Sequence, residues 1–275
     1  MATLPELKKK LKGIKSTEKL TKAMKSVSAA KYSHLNTVHS KHRAYSEECR
    51  TLFKEYAGIS EEFIPPCNNA APPAVFVIAS NKGMCGGFNT EIFNFFIEKK
   101  ADFPENTLFF PCGKKSIGYF SEKQIPYEKS YIFSDIPSCD ESEAFLRDII
   151  SMRENEKISK VFIIYPEFRN AMKQIPVITD FFSAAEGSDE DTDDSNTLFV
   201  PDKETVLKSI TDAVLGDMMF TILTVTALGA QAATLNTMRS AYDTATVYSA
   251  QFETQINRKR QSEVTADVLE TATER

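Results

Sequence analysis

Two stretches carry residue types that could cradle a phosphate or activate a nucleophile. Ser80-Asn81-Lys82-Gly83-Met84-Cys85-Gly86-Gly87-Phe88-Asn89 follows one apolar run, and Gly113-Lys114-Lys115-Ser116 follows another. A glycine-rich turn from strand to helix offers backbone N–H groups to an anion, and a neighbouring lysine adds charge. Neither stretch has the spacing of Gly-x-Gly-x-x-Gly or of Gly-x4-Gly-Lys-Ser/Thr, because the upstream glycine that the second stretch would need falls on Leu108. Cys85 could be imagined as a nucleophile. All three histidines, His34, His39 and His42, lie far from it in the first arm of the chain, so a Cys–His pair is not expected. His39 and His42 share a helical face at i, i+3 and read as seam or surface residues. Five cysteines, Cys49, Cys67, Cys85, Cys112 and Cys139, are scattered without a CxxC pair. That pattern argues against a zinc site or a disulfide framework and for a reducing compartment. No catalytic residue, metal or cofactor is expected.

The elements around these stretches divide the chain of 275 residues unevenly. Its formal net charge is only −5, which excludes a uniformly basic nucleic-acid binder. No stretch approaches the roughly 18 apolar residues of a membrane-spanning helix. Yet residues 1–31 hold nine lysines against two glutamates, while residues 186–196 hold six acids and no base. Prolines are absent between Pro5 and Pro65 and again after Pro201. The chain therefore reads as two proline-free arms around a punctuated middle.

In the first arm, residues 1–60, apolar residues fall three and four apart. They run through Leu4, Leu7, Leu11 and Ile14, then Leu20, Met24 and Val27, then Leu35, Val38, His42, Tyr45, Cys49, Leu52 and Tyr56. Such steps form one stripe along a helix, the seam of a coiled coil. Gly58 is a plausible C-cap, and about 50 residues would make a rod of roughly 75 Å. The second arm, residues 202–275, continues the pattern from Val206 through Val214, Ile222, Leu228 and Met238 to Tyr248, Phe252 and Ile256. It could span about 105 Å. Lying at opposite ends of the chain, the arms pair most simply antiparallel. The lysine-rich start reads as part of the first helix rather than as a transit peptide, since it lacks arginine and shares the stripe.

Between residues 70 and 200, short β-branched and aromatic runs at 74–79, 107–110, 160–165 and 177–182 alternate with helical segments at 90–100, 114–122 and 140–154. That alternation implies a small, largely parallel layered domain. The acidic run 186–196 reads as an exposed loop. The fold class is thus α/β: a long antiparallel α-helical coiled coil from the N- and C-terminal segments plus a small Rossmann-like α/β domain.

Three segments converge on one family. Thr17 to Lys31 (TEKLTKAMKSVSAAK) resembles the N-terminal signature of the gamma subunit of F-type ATP synthases. Ser80 to Asn89 is similar to that family's Ser-Asp-Arg/Lys-Gly-Leu-Cys-Gly-Gly-x-Asn loop. Asn257 to Glu270 (NRKRQSEVTADVLE) resembles its Asn-Arg-x-Arg-Gln-x-x-Ile-Thr-x-Glu-Leu-x-Glu helix. Departures are visible too. Asn81 replaces the family's Asp, and Gly229-Ala230 with Thr234–Met238 stands where relatives carry a Ser-Glu-x-x-x-Arg-Met pattern. The acidic run resembles an insertion, and the paired cysteines of the plastid type are absent.

The resemblance implies a non-catalytic central rotor shaft that couples proton-driven rotation of a membrane ring to ATP synthesis at beta subunits. Its implied partners are the alpha and beta subunits of the catalytic hexamer, the small central-stalk subunits (delta/epsilon) and the membrane c-ring. By motif match, Arg260, Gln261, Asn257 and Lys82 would contact acidic catch loops of beta, and Met24 and Lys25 would lie near beta's lever. The implied home is the matrix side of the mitochondrial inner membrane, or the cytoplasmic membrane face in a bacterium. A coiled-coil adaptor with an α/β head is the rival from another class.

Overall fold

The computed structural model describes residues 3–55, 68, 70–183, 200 and 202–273. Gly58 and the acidic run 186–196 lie outside the described residues. Along the chain come α1 (Leu4–Glu55), β1 (Ala74–Ile78), α2 (Phe88–Lys100), β2 (Leu108–Cys112), α3 (Lys114–Glu122), α4 (Cys139–Glu154), β3 (Val161–Asn170), β4 (Lys173–Asp180) and α5 (Lys203–Thr273). Two compact units divide them: Met1–Ala30 with Thr234–Arg275, and Lys31–Ala233.

The first unit pairs the N-terminal part of α1 with the C-terminal part of α5. Lys15 Nζ lies 2.6 Å from Glu253 Oε1, and Lys25 Nζ stands 4.8 Å above the Tyr242 ring. As one residue number rises the other falls, so the helices run antiparallel. The seam differs from the apolar stripe at its middle. Leu20 and Val27 are each 58% exposed, whereas Thr21 and Ser28 between them are buried. On α5 the same exchange occurs: Tyr248 is exposed while Ser249 is buried, beside Ala245, a stripe residue that is buried as expected. Small residues win the seam because they let two backbones approach. Thr21 Oγ1 also bonds back to the Thr17 carbonyl at 2.9 Å, so its hydroxyl enters the seam already satisfied.

In the second unit a four-stranded sheet has the order β2-β1-β3-β4. The first three strands are parallel, with Ala74 opposite both Leu108 and Val161, and β4 returns antiparallel beside β3 with Ile164 opposite Ile178. Side chains of β1 alternate between faces. Ala74, Phe76 and Ile78 meet Phe145 and Ile149 of α4 and Val214, Leu215, Met219 and Leu223 of α5. Val75, Val77 and Ala79 meet Ile92, Phe93 and Phe96 of α2 and Phe120 of α3. Helices cover both faces, which is why β1 is buried along its whole length.

One window of α5 is, after all, long and apolar enough to cross a membrane, contrary to the sequence expectation. It is 72% buried inside the protein, and its apolarity serves the sheet. The Gly229 departure has a packing cause: a Cβ there would lie 3.1 Å from the Phe88 ring and 3.0 Å from Gln174 Cγ. A larger residue would push α5 off α2 and β4.

The turn from β2 into α3 depends on a single residue. Gly113 has φ +91°, and a Cβ on it would sit 2.2 Å from the Ala79 carbonyl oxygen. Its N–H donates to the Tyr131 carbonyl at 2.8 Å, so the backbone cannot swing away freely. Gly113→Ala is expected to destabilise the chain by about 3 kcal/mol, read from its urea midpoint.

Candidate functional site

The loop after β1 is built from its own polar side chains. Ser80 Oγ donates to the Lys82 carbonyl at 2.6 Å, and Asn89 Nδ2 donates to Ser80 Oγ at 2.8 Å and to Cys85 Sγ at 3.1 Å. Cys85 is therefore a buried structural thiol inside the turn. The amide of Asn81 works in both directions: Nδ2 donates to the Phe133 carbonyl at 2.5 Å while Oδ1 accepts from Lys114 N at 3.2 Å. An aspartate could accept the second bond but could not make the first. The departure from the family's Asp thus has a local partner.

For the Gly113–Ser116 stretch, the anion-cradle reading fails on donor accounting. Of the N–H groups at the start of α3, Gly113 gives its own to Tyr131 O, Lys114 to Asn81 Oδ1 and Lys115 to Ser80 O. These donors are already satisfied within the protein. Among the described residues no cluster of three His, Cys, Asp or Glu could hold a metal ion.

Lys82 has a partner that sequence reasoning did not find. Its ammonium lies 2.6 Å from Asp135 Oδ2, and Lys31 of α1 reaches the same oxygen at 2.5 Å. Three segments, α1, the loop after β1 and the stretch between α3 and α4, meet at one carboxylate. Burial pushes the Asp135 carboxyl upward, but hydrogen bonds from Lys31 and Lys82 outweigh it and hold it below the usual range. The same hydrogen bond raises the Lys82 ammonium. Sequence separations of 53 and 104 residues hide this cluster, and no local pattern announces it.

A second polar cluster joins α1 to α5 within the same unit. Asp217, its side chain only 1% exposed, accepts from Ser46 Oγ at 2.6 Å. His42 Nε2 stands 2.7 Å from the same oxygen, yet no aligned hydrogen bond forms, so the contact is one of proximity rather than of direction. The Phe220 ring meets His42 edge-on at 4.7 Å between centroids. His42 is a seam residue here, tied to the one buried carboxylate of α5 in that stretch. A cavity of about 470 Å³ opens beside it, floored by Leu146, Ile150, Gly216 and Phe220.

The remaining expected site residues lie in the first unit. Asn257, Arg260 and Gln261 share one exposed face of α5 at i, i+3 and i+4. Met24 and Lys25 sit on α1, half-buried, with Lys25 held over Tyr242. Lys82, by contrast, belongs to the second unit. Alongside them run Leu20 and Val27 on α1 and Val247 and Tyr248 on α5, all of them exposed. The lysine face Lys8, Lys12, Lys15 and Lys19 lines a shallow hollow with Leu11 and Ser16.

Residues 3–273 match a family model described as ATP synthase. Relatives named ATP synthase gamma chain include one from Rubrobacter xylanophilus, 25% identical over 99% of this chain and 97% of its own length. Another, from Pelagibacter ubique, is 29% identical over 98% and 97%. Among solved structures, a chain of the Euglena gracilis mitochondrial ATP synthase (OSCP/F1/c-ring) is similar with a TM-score of 0.70 at 16% identity, covering 98% of this chain and 93% of that one. A chain of the Tetrahymena thermophila mitochondrial ATP synthase central stalk and c-ring gives a TM-score of 0.61 at 18% identity, over 81% and 99%. At such identities these likenesses speak to fold.

The carboxylates around the stretch before α4 set a pH dependence. Asp135, Glu141 and Asp148 are each pushed up by burial and pulled further down by their hydrogen bonds: from Lys31 and Lys82, from Ser134 and Ser138, and from Lys129 and Tyr131 respectively. A carboxyl depressed by folding contributes stability above its unfolded value near 4, and loses it as pH falls through the folded value. Acid unfolding of the chain, followed by circular dichroism, is therefore expected to steepen below about pH 4. Asp135→Asn should flatten that limb and lower stability at neutral pH, bringing the neutral and acid values closer together.

Proposed function

The chain belongs to the ATP synthase family that its residues 3–273 match, and from that premise we propose that it is the gamma chain, the central rotor shaft. The carrying observation is that match along nearly the whole chain. Antiparallel helices in the first unit bear exposed apolar and cationic side chains, as a rod enclosed by partners would. The partners are the alpha and beta subunits of the catalytic hexamer, the small central-stalk subunits and the membrane rotor ring. Coupling then works by differential contact. Each of three catalytic subunits meets a different side of an asymmetric rod and is biased toward a different state.

In this reading residues 1–60 and 202–275 form the shaft and residues 70–200 the head that meets the rotor ring. The chain transmits force and performs no chemistry of its own; the satisfied donors at the start of α3 and the structural Cys85 support that. Arg260 and Gln261, with Asn257 on the same face, supply charge-assisted hydrogen bonds to acidic loops of the catalytic subunits. Lys82 contributes a further cation to such a loop, and Met24 and Lys25 lie against the moving lever of the same subunits.

The matrix side of the mitochondrial inner membrane is the proposed home. The similarity of fold to mitochondrial central-stalk chains supports it, while the bacterial gamma-chain relatives favour the bacterial membrane face as the second reading. Fractionation of native cells, with the chain followed by antibody, decides between the two.

The double variant Arg260→Ala, Gln261→Ala is expected to lower ATP turnover and coupled synthesis of the assembled complex by about three- to tenfold. Its α-helical circular dichroism should stay that of the unchanged chain. Full ATP synthesis and hydrolysis in that complex would remove the assignment.

A further inference from the structure

We propose that Asp135 is a latch that withholds Lys82 from an acidic partner surface, and that Lys31 sets how firmly the latch holds. The proposal rests on the reading of Lys82 as a contact to partner carboxylates. Its own basis is a shared atom: Lys31 at 2.5 Å and Lys82 at 2.6 Å both bind Oδ2 of Asp135. Two ammonium groups on one oxygen compete, because each lowers the negative charge the other feels. They are not equally free to leave. The Lys82 side chain is 69% exposed, against 27% for Lys31 and 21% for Asp135.

Release of Lys82 leaves no orphaned charge, since Asp135 keeps Lys31. Nor does the loop come apart, because Asn81 still holds the Phe133 carbonyl and Lys114 N. An ion pair this exposed holds its partner by no more than about fivefold in equilibrium constant, a hold that a cluster of partner carboxylates can exceed. With the α3 start donors already taken, Lys82 offers a point charge and no phosphate cradle. Carboxylate side chains of a protein therefore suit it better than a nucleotide. The arrangement makes engagement at this loop weak at rest and dependent on the approach of concentrated negative charge.

The test uses intact ATP synthase in membrane vesicles, with ATP-driven proton pumping followed as KCl is raised. Asp135→Asn frees Lys82 and should raise the salt concentration for half-loss of pumping about twofold. Lys31→Gln leaves Asp135 wholly to Lys82 and should lower it by a similar factor. Lys82→Gln should lower it, and adding Asp135→Asn or Lys31→Gln to that variant should change nothing further. Opposite signs for the two single variants support the latch, since a merely structural contact would weaken the complex in both. If Asp135→Asn lowers the salt midpoint while Lys82→Gln also does, Asp135 positions Lys82 and the latch is overturned alone. If Lys82→Gln leaves the profile unmoved, the partner-contact reading of Lys82 falls and takes the latch with it.

Discussion

Much of the structure depends on one helix doing two jobs. Between Leu207 and Ala232, α5 is the apolar cover of the sheet, buried by Val214, Leu215, Met219, Ile222 and Leu223 against β1, β3 and α4. Beyond Thr234 the same helix belongs to the unit it forms with the start of α1. The helix runs Lys203–Thr273 without interruption; Gly216 and Gly229 lie inside the buried part, and no proline follows Pro201.

The opposing helix is fixed to the α/β unit by polar as well as apolar contacts. Cys49 joins the sheet core, Ser46 reaches the buried Asp217, and Lys31 shares Asp135 with Lys82. A buried carboxylate is costly to strand without partners, so Asp217 fixes the register between α1 and α5 more strictly than interchangeable apolar side chains would. Asp135 does the same for α1 against the loops, at a more exposed and therefore weaker point.

Much of this was legible in the sequence. The β-branched runs marked β1 and β2 closely, but only the first half of β3 and the second half of β4. The motif loop and the two arms pointed to the family. Seam assignments were less legible. Steps of three and four selected Leu20, Val27 and Tyr248 because they are apolar, and selected Ala245 correctly, whereas close backbone approach also favours the polar Thr21, Ser28 and Ser249. Hydropathy hid the same way in α5, where Asp217, Thr221, Thr224 and Thr226 disguise an apolar window; Thr226 joins it by bonding back to the Ile222 carbonyl, while the Thr221 and Thr224 hydroxyls are buried without a hydrogen-bond partner. The Asp135 cluster was not legible at all, since its members come from three segments joined only by folding. The cation Lys82 was readable from its motif; its counter-ion was not.

The exposed leucine, valines and tyrosine along the paired helices bear on the life of the chain before it is enclosed. Leu20, Val27, Val247 and Tyr248 each leave about half or more of their surface to water. Large apolar surface on a solitary chain invites self-association and proteolysis. Whatever sheathes these side chains stabilises the folded form by mass action. Cellular abundance of this chain is thus set by the supply of its sheath: copies made in excess are the ones that chaperones hold and proteases clear.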